Sequence, residues 1–137
     1  MYNKMSFNKI AIVCVDDEKI ILNSLKSELL SQFGNKYYYE IAESGEEALE
    51  LIEELILDGF EIPIVISDCI MNNGMYGDEF LFKVREKHKD TFCVMLTGKP
   101  HKKFYTKNEK VQSIDKLLMK PWSTQELMNI VNQAVLK

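Results

Sequence analysis

Glycine and cysteine are both scarce in this chain, at six and three of 137 residues. No glycine-rich phosphate loop follows any of its apolar runs, which argues against a nucleotide-binding domain. Cys14, Cys69 and Cys93 are odd in number and lack metal-ligand spacing. They read as buried free thiols of a reducing cytoplasm, with a redox role for Cys69 as the minor alternative. No apolar stretch approaches the roughly 20 residues that a membrane-spanning helix needs. The start, Met1-Tyr2-Asn3-Lys4-Met5, has neither the apolar segment nor the cleavage site of a secretion signal. Charge of neither sign dominates: 17 basic against 21 acidic residues leave a net charge of −4. That balance disfavours broad electrostatic binding to nucleic acid or to an anionic membrane. There are no repeats, no low-complexity tract and no internal linker. With 46% apolar residues the chain reads as one globular domain over residues 9–137, after a short N-terminal extension of residues 1–8.

Against these absences stand four short apolar runs that each end in a reactive polar residue. Ile10-Ala11-Ile12-Val13-Cys14-Val15 ends in Asp16-Asp17, and Ile62-Pro63-Ile64-Val65-Ile66-Ser67 ends in Asp68. Phe92-Cys93-Val94-Met95-Leu96 ends in Thr97-Gly98, and Leu117-Leu118-Met119 ends in Lys120-Pro121. Such runs, bounded by turn signals, predict buried strands. A fifth, Tyr37 to Ala42, ends in Glu43 and carries no comparable chemistry. Helical patterns alternate with them, which predicts an α/β domain with a parallel sheet. Ile21, Leu22, Leu25 and Leu29 mark the first helix, which Gly34 ends. Ser44-Gly45-Glu46-Glu47 is a capping box that opens the second, with an inward stripe of Ala48, Leu51, Ile52, Leu55 and Ile56. A third spans Asp78 to His88 through Phe80, Leu81 and Val84. A short, poorly packed helix is expected between Gly98 and Gln112. Ser123-Thr124-Gln125-Glu126 opens the last, with Leu127, Ile130, Val131, Ala134 and Val135 inward.

Ligands bind outside the carboxyl ends of the strands in open parallel sheets. Three carboxylates, a hydroxyl and an ammonium therefore meet on one rim. Adjacent carboxylates suit Mg²⁺, a hard cation that takes one or two of them and keeps several waters. The side chains of Asp16 and Asp17 diverge, so one, Asp17 for preference, approaches the ion and the other acts through water. The competing explanation is that the acidic pair caps the following helix. Asp68 by itself has the same alternative as a turn or cap residue. Beside Asp16 and Asp17, however, it needs a cation, which a metal or Lys120 supplies. A carboxylate can attack a phosphoryl group to give an aspartyl phosphate. The transferred group then needs neutralisation by a metal, a cation and a hydroxyl donor, here Mg²⁺, Lys120 and Thr97. Taken singly, Thr97 is equally a strand residue and Lys120 a solvated strand end.

The motifs Val15-Asp16-Asp17-Glu18, Ile66-Ser67-Asp68 with Met71, Leu96-Thr97-Gly98 and Met119-Lys120-Pro121-Trp122 resemble those of the receiver domains of two-component response regulators. The likeness extends from about Lys9 to Leu136. It implies a doubly wound five-stranded sheet of flavodoxin-like order 2-1-3-4-5 with five helices. It further implies Asp68 as phosphoacceptor, and Mg²⁺ held by Asp16, Asp17, Asp68 and the backbone carbonyl of Ile70. Thr97 would bond the phosphoryl oxygen and Lys120 would pair with it. The implied partners are a sensor histidine kinase or phosphotransfer protein and an output domain or protein, with a phosphorylation-dependent homodimer as a further form. Neither nucleic acid nor membrane is expected to bind this domain directly. Self-phosphorylation and slow autodephosphorylation would be its only reactions.

Two departures from that pattern concern signal output. Asn72 stands where the family usually carries Pro, and the loop to Gly77 is about one residue longer; a mobile loop with altered phosphoryl lifetime is expected. Leu117 occupies the place of a switch aromatic, for which Phe104 or Tyr105 are candidate substitutes. The stretch from Lys99 to Lys110 holds five lysines and one glutamate, read as a solvated face or, alternatively, as a basic contact patch. Two rival readings remain at this stage. One is a non-phosphorylated receiver-like interaction module. The other is a haloacid dehalogenase-type phosphatase, whose Asp-x-Asp motif Asp16-Asp17-Glu18 does not match.

Overall fold

The predicted strands form a single parallel sheet in a computed structural model that describes residues 9–72, 74–98 and 113–136. The strands are β1 (Ile10–Val15), β2 (Tyr38–Ala42), β3 (Glu61–Asp68), β4 (Phe92–Thr97) and β5 (Lys116–Met119). They lie in the order β2-β1-β3-β4-β5, as expected. The helices are α1 (Lys19–Phe33), α2 (Gly45–Leu57), α3 (Gly77–Lys87) and α4 (Thr124–Val135). These are four among the described residues; the fifth expected helix, with Phe104 and Tyr105, lies outside them.

The central strands read as continuous apolar runs because both faces of the sheet are covered. Alternation along β1 sends Ile12 and Cys14 to one face and Ala11, Val13 and Val15 to the other. On the first face Leu22, Leu25 and Leu29 of α1 meet Leu127, Ile130 and Val131 of α4. On the second, Ala48 and Ile52 of α2 pack with Phe80, Leu81 and Val84 of α3. The stripe on α2 is narrower than expected: Leu51 is half-buried and Ile56 is 40% exposed. The helix turns about 100° per residue, so those two positions flank the line that the sheet covers.

Both predicted caps form. Ser44 accepts the Glu47 N–H and Ser123 accepts the Glu126 N–H, each at 3.0 Å. The Glu47 carboxylate reaches one residue further back than a capping box requires, to the Glu43 N–H at 2.8 Å. Arg85 of α3 pairs with Asp115, which also accepts the Cys93 N–H at 2.8 Å. This fastens the start of β5 beside β4. No helix among the described residues is long and apolar enough to cross a membrane.

Candidate functional site

Parallel register brings the carboxyl ends of β1, β3 and β4 level, with Val15 opposite Ser67 and Asp68 opposite Leu96. Asp16 therefore emerges next to Asp68, and both are buried, at 0% and 7% exposure. Gly77 lets the start of α3 lie against the end of β3: a Cβ there would run into the Asp68 carbonyl oxygen. Its N–H instead closes the loop on the Cys69 carbonyl at 2.9 Å.

Asp16, Asp17 and Asp68 each bring one carboxylate oxygen within 4.8 Å of the others. The Lys120 ammonium, arriving from the end of β5, lies 2.8 Å from Asp68 Oδ1 and 3.5 Å from Asp16 Oδ2. Lys120 is led there by its own N–H, which donates to the Thr97 carbonyl at 2.8 Å, and the Lys120–Pro121 peptide is cis. Burial pushes the Asp16 carboxyl up to about 6, against the pull of the Glu18 N–H, while the charge of Asp68 adds to the rise and Lys120 opposes it. Burial also works against the Lys120 ammonium, but its hydrogen bond to Asp68 and the two carboxylate charges outweigh this and hold it above its ordinary value.

The acidic pair does not cap α1: the N-cap is Glu18, which makes no side-chain capping hydrogen bond. Asp16 Oδ1 accepts the Glu18 N–H at 2.9 Å, at the approach to α1, while its Oδ2 faces Lys120. One side chain thus fixes the turn before α1 and belongs to the acidic cluster. Asp17 Oδ2 accepts the Asn72 N–H at 2.9 Å. Asp68 Oδ1 accepts the Cys69 N–H, also at 2.9 Å, in addition to Lys120. Thr97 is buried at the end of β4, one position past the partner of Asp68. Ile70 lies in the loop after Asp68 with its side chain 44% exposed. Leu117, 36% exposed, pairs with Met95 at the edge strand β5.

The donor set fits Mg²⁺. It is all oxygen and anionic, gathered where like charges would otherwise repel, and it offers a hard cation the one or two direct carboxylates it takes, with the third able to act through a retained water. No histidine or thiolate, the soft donors that favour zinc, belongs to that cluster.

Sequence reasoning missed three contributors. The Asn72 main-chain N–H is invisible in a side-chain pattern. Glu46 was read only as part of a capping sequence, yet it accepts the Met75 N–H at 3.3 Å. Glu28 of α1 accepts the Trp122 indole N–H at 2.6 Å and the Thr124 hydroxyl, tying α1 to the segment after Lys120.

The family model for the response regulator receiver domain matches residues 12–132. The chain belongs to the response regulator receiver domain family. A receiver domain from an HD domain-containing protein of Pseudomonas fluorescens Pf-5 is 29% identical over 93% of this chain and 88% of its own, with a TM-score of 0.78. A receiver domain protein from Clostridium thermocellum is 25% identical over 92% of this chain and 94% of its own, with a TM-score of 0.77. The chemotaxis response regulator CheY4 of Vibrio cholerae, 24% identical over 93% and 99%, shares the fold at a TM-score of 0.72. No curated protein sequence matches significantly. Receivers are phosphoacceptor switches that bind Mg²⁺ in an acidic pocket and work with histidine kinases or phosphotransfer proteins and with output domains. Membership in this family decides against the phosphatase reading.

Proposed function

We propose that Asp68 of this receiver accepts a phosphoryl group from the phosphohistidine of a sensor kinase or phosphotransfer protein. In this reading a carboxylate oxygen of Asp68 bonds to phosphorus as the bond from phosphorus to the histidine nitrogen breaks. Asp16, Asp17, Asp68 and the Ile70 carbonyl hold Mg²⁺, which supplies neutralisation of the phosphoryl charge when bound. Lys120, already 2.8 Å from Asp68, exchanges that carboxylate for a phosphoryl oxygen and stays paired throughout. Thr97 donates its hydroxyl to another phosphoryl oxygen. The domain carries out only its own phosphorylation and slow dephosphorylation, and passes its state to an output domain or protein. A reducing cytoplasm suits its three buried free thiols.

The observation that carries this reading is the convergence of three carboxylates and one ammonium at the carboxyl rim of the sheet. Titration with the phosphoryl mimic beryllium fluoride tests it. The wild-type domain should bind the mimic only with Mg²⁺ present, and Asp68→Asn should abolish binding. Binding that is independent of Mg²⁺, or that survives Asp68→Asn, contradicts it; no binding at all favours a non-phosphorylated interaction module.

A further inference from the structure

The loop between β3 and α3 is held by polar ties outside the phosphoryl chemistry. On one side Met71 is fully buried in the core. On the other, the Met75 N–H donates to Glu46 in the first turn of α2 at 3.3 Å. Gly74 has φ 153, and a Cβ on it would overlap the Glu46 carboxylate. Gly45 permits the same close approach from the helix side, since a Cβ there would lie 2.6 Å from Met75 Cγ. Asn72 sits between these two anchors with its side chain exposed and its N–H 2.9 Å from Asp17 Oδ2.

We propose that Glu46 and the main-chain N–H of Asn72 are positioning groups for the metal site, Glu46 seating the loop on α2 and the loop orienting Asp17 for the cation. The proposal rests on reading the acidic cluster as a Mg²⁺ site. Asp17 is the least buried of the three acidic residues, so a fixed donor restricts it where packing does not. Groups that hydrogen-bond a ligating carboxylate set its orientation and with it the affinity for the ion. A proline at position 72 has no N–H to give. The bond therefore depends on a residue other than proline at position 72. Glu46 acts one step further out and touches neither the ion nor the phosphoryl group.

Calorimetric Mg²⁺ titration without any phosphoryl donor separates the possibilities. Asn72→Ala keeps the N–H and should bind as wild type, whereas Asn72→Pro should raise Kd about tenfold. Glu46→Ala should raise Kd in the same direction and speed hydrogen exchange at the Asn72 and Met75 amides. Metal-free melting temperatures report whether each variant is folded, and Glu46→Ala with its exchange readout stands on its own if Asn72→Pro does not fold. Equal Kd in the two Asn72 variants, or wild-type Kd and exchange in Glu46→Ala, overturns the proposal. If wild type itself binds no Mg²⁺, the site assignment fails and takes this proposal with it; wild-type binding with unchanged variants sinks the proposal alone.

Discussion

Asp16 is the residue whose environment says most about how the site works without metal. Its carboxyl is buried and raised from 3.8 to about 6. Below pH 3.8 the group is protonated in folded and unfolded chains alike and contributes nothing to the pH dependence. Between there and about 6 the unfolded chain ionises first, so stability falls as pH rises, and above about 6 the destabilisation is complete. A cation replaces the proton. The rise in melting temperature on adding Mg²⁺ should therefore be larger at about pH 8 than at about pH 5. A thermal-denaturation series with and without Mg²⁺ checks this, and an equal rise at both pH values speaks against it. Lys120 carries the opposite charge in the same place. Lys120→Met leaves Asp16 and Asp68 facing each other, and the metal-free domain should lose about 2 kcal/mol in urea denaturation, partly restored by Mg²⁺. The acidic residues and Lys120 were legible in the sequence because each follows an apolar run. The Asn72 N–H was not, since a main-chain donor leaves no mark on residue identity. The substitution itself was visible, and the sequence suggested only a looser loop. The structure shows that loop tied to Asp17.

Among elements, the junction between β5 and α4 is held from across the chain. Glu28 on α1 receives the Trp122 indole and the Thr124 hydroxyl, partners 94 and 96 residues away. Two hydrogen bonds to one partly buried carboxylate brace the segment that carries Lys120. Glu28→Ala should cost about 1–2 kcal/mol of stability and shift the emission of Trp122, the single tryptophan, to longer wavelength. An unshifted spectrum with unchanged stability would show that the brace is dispensable. Helix starts were readable because caps depend on neighbours: Ser44 and Ser123 each bond an N–H three residues ahead. The side chain of Glu28 points to no local partner, so its role appears only once α1 and α4 lie on the same face of the sheet. The exposure of Ile56 has a similar origin, because periodicity defines a stripe but the opposing element decides its width. Leu117 keeps its place on the edge strand β5, where an aliphatic side chain offers no ring to turn.

At the scale of the molecule, a sheet covered on both faces leaves its rims for polar chemistry, and the topology brings five of the predicted site side chains, Asp16, Asp17, Asp68, Thr97 and Lys120, to the carboxyl rim. The alternation of apolar runs and helices predicted a parallel α/β sheet, the strand order came from the family likeness, and the family model matches residues 12–132. Leu25, fully buried between α1 and the sheet, lies on the core face remote from this chemistry. Leu25→Ala should destabilise the fold by about 3 kcal/mol while leaving Mg²⁺ affinity near wild type in the folded fraction. The central claim is that Asp68 is the phosphoacceptor of an intact receiver site. Intact-mass spectrometry after incubation with Mg²⁺ and acetyl phosphate tests it most directly. The account predicts a mass increase of one phosphoryl group that needs Mg²⁺ and is lost in Asp68→Asn; the same increase in Asp68→Asn, or none in the wild-type domain, would contradict it.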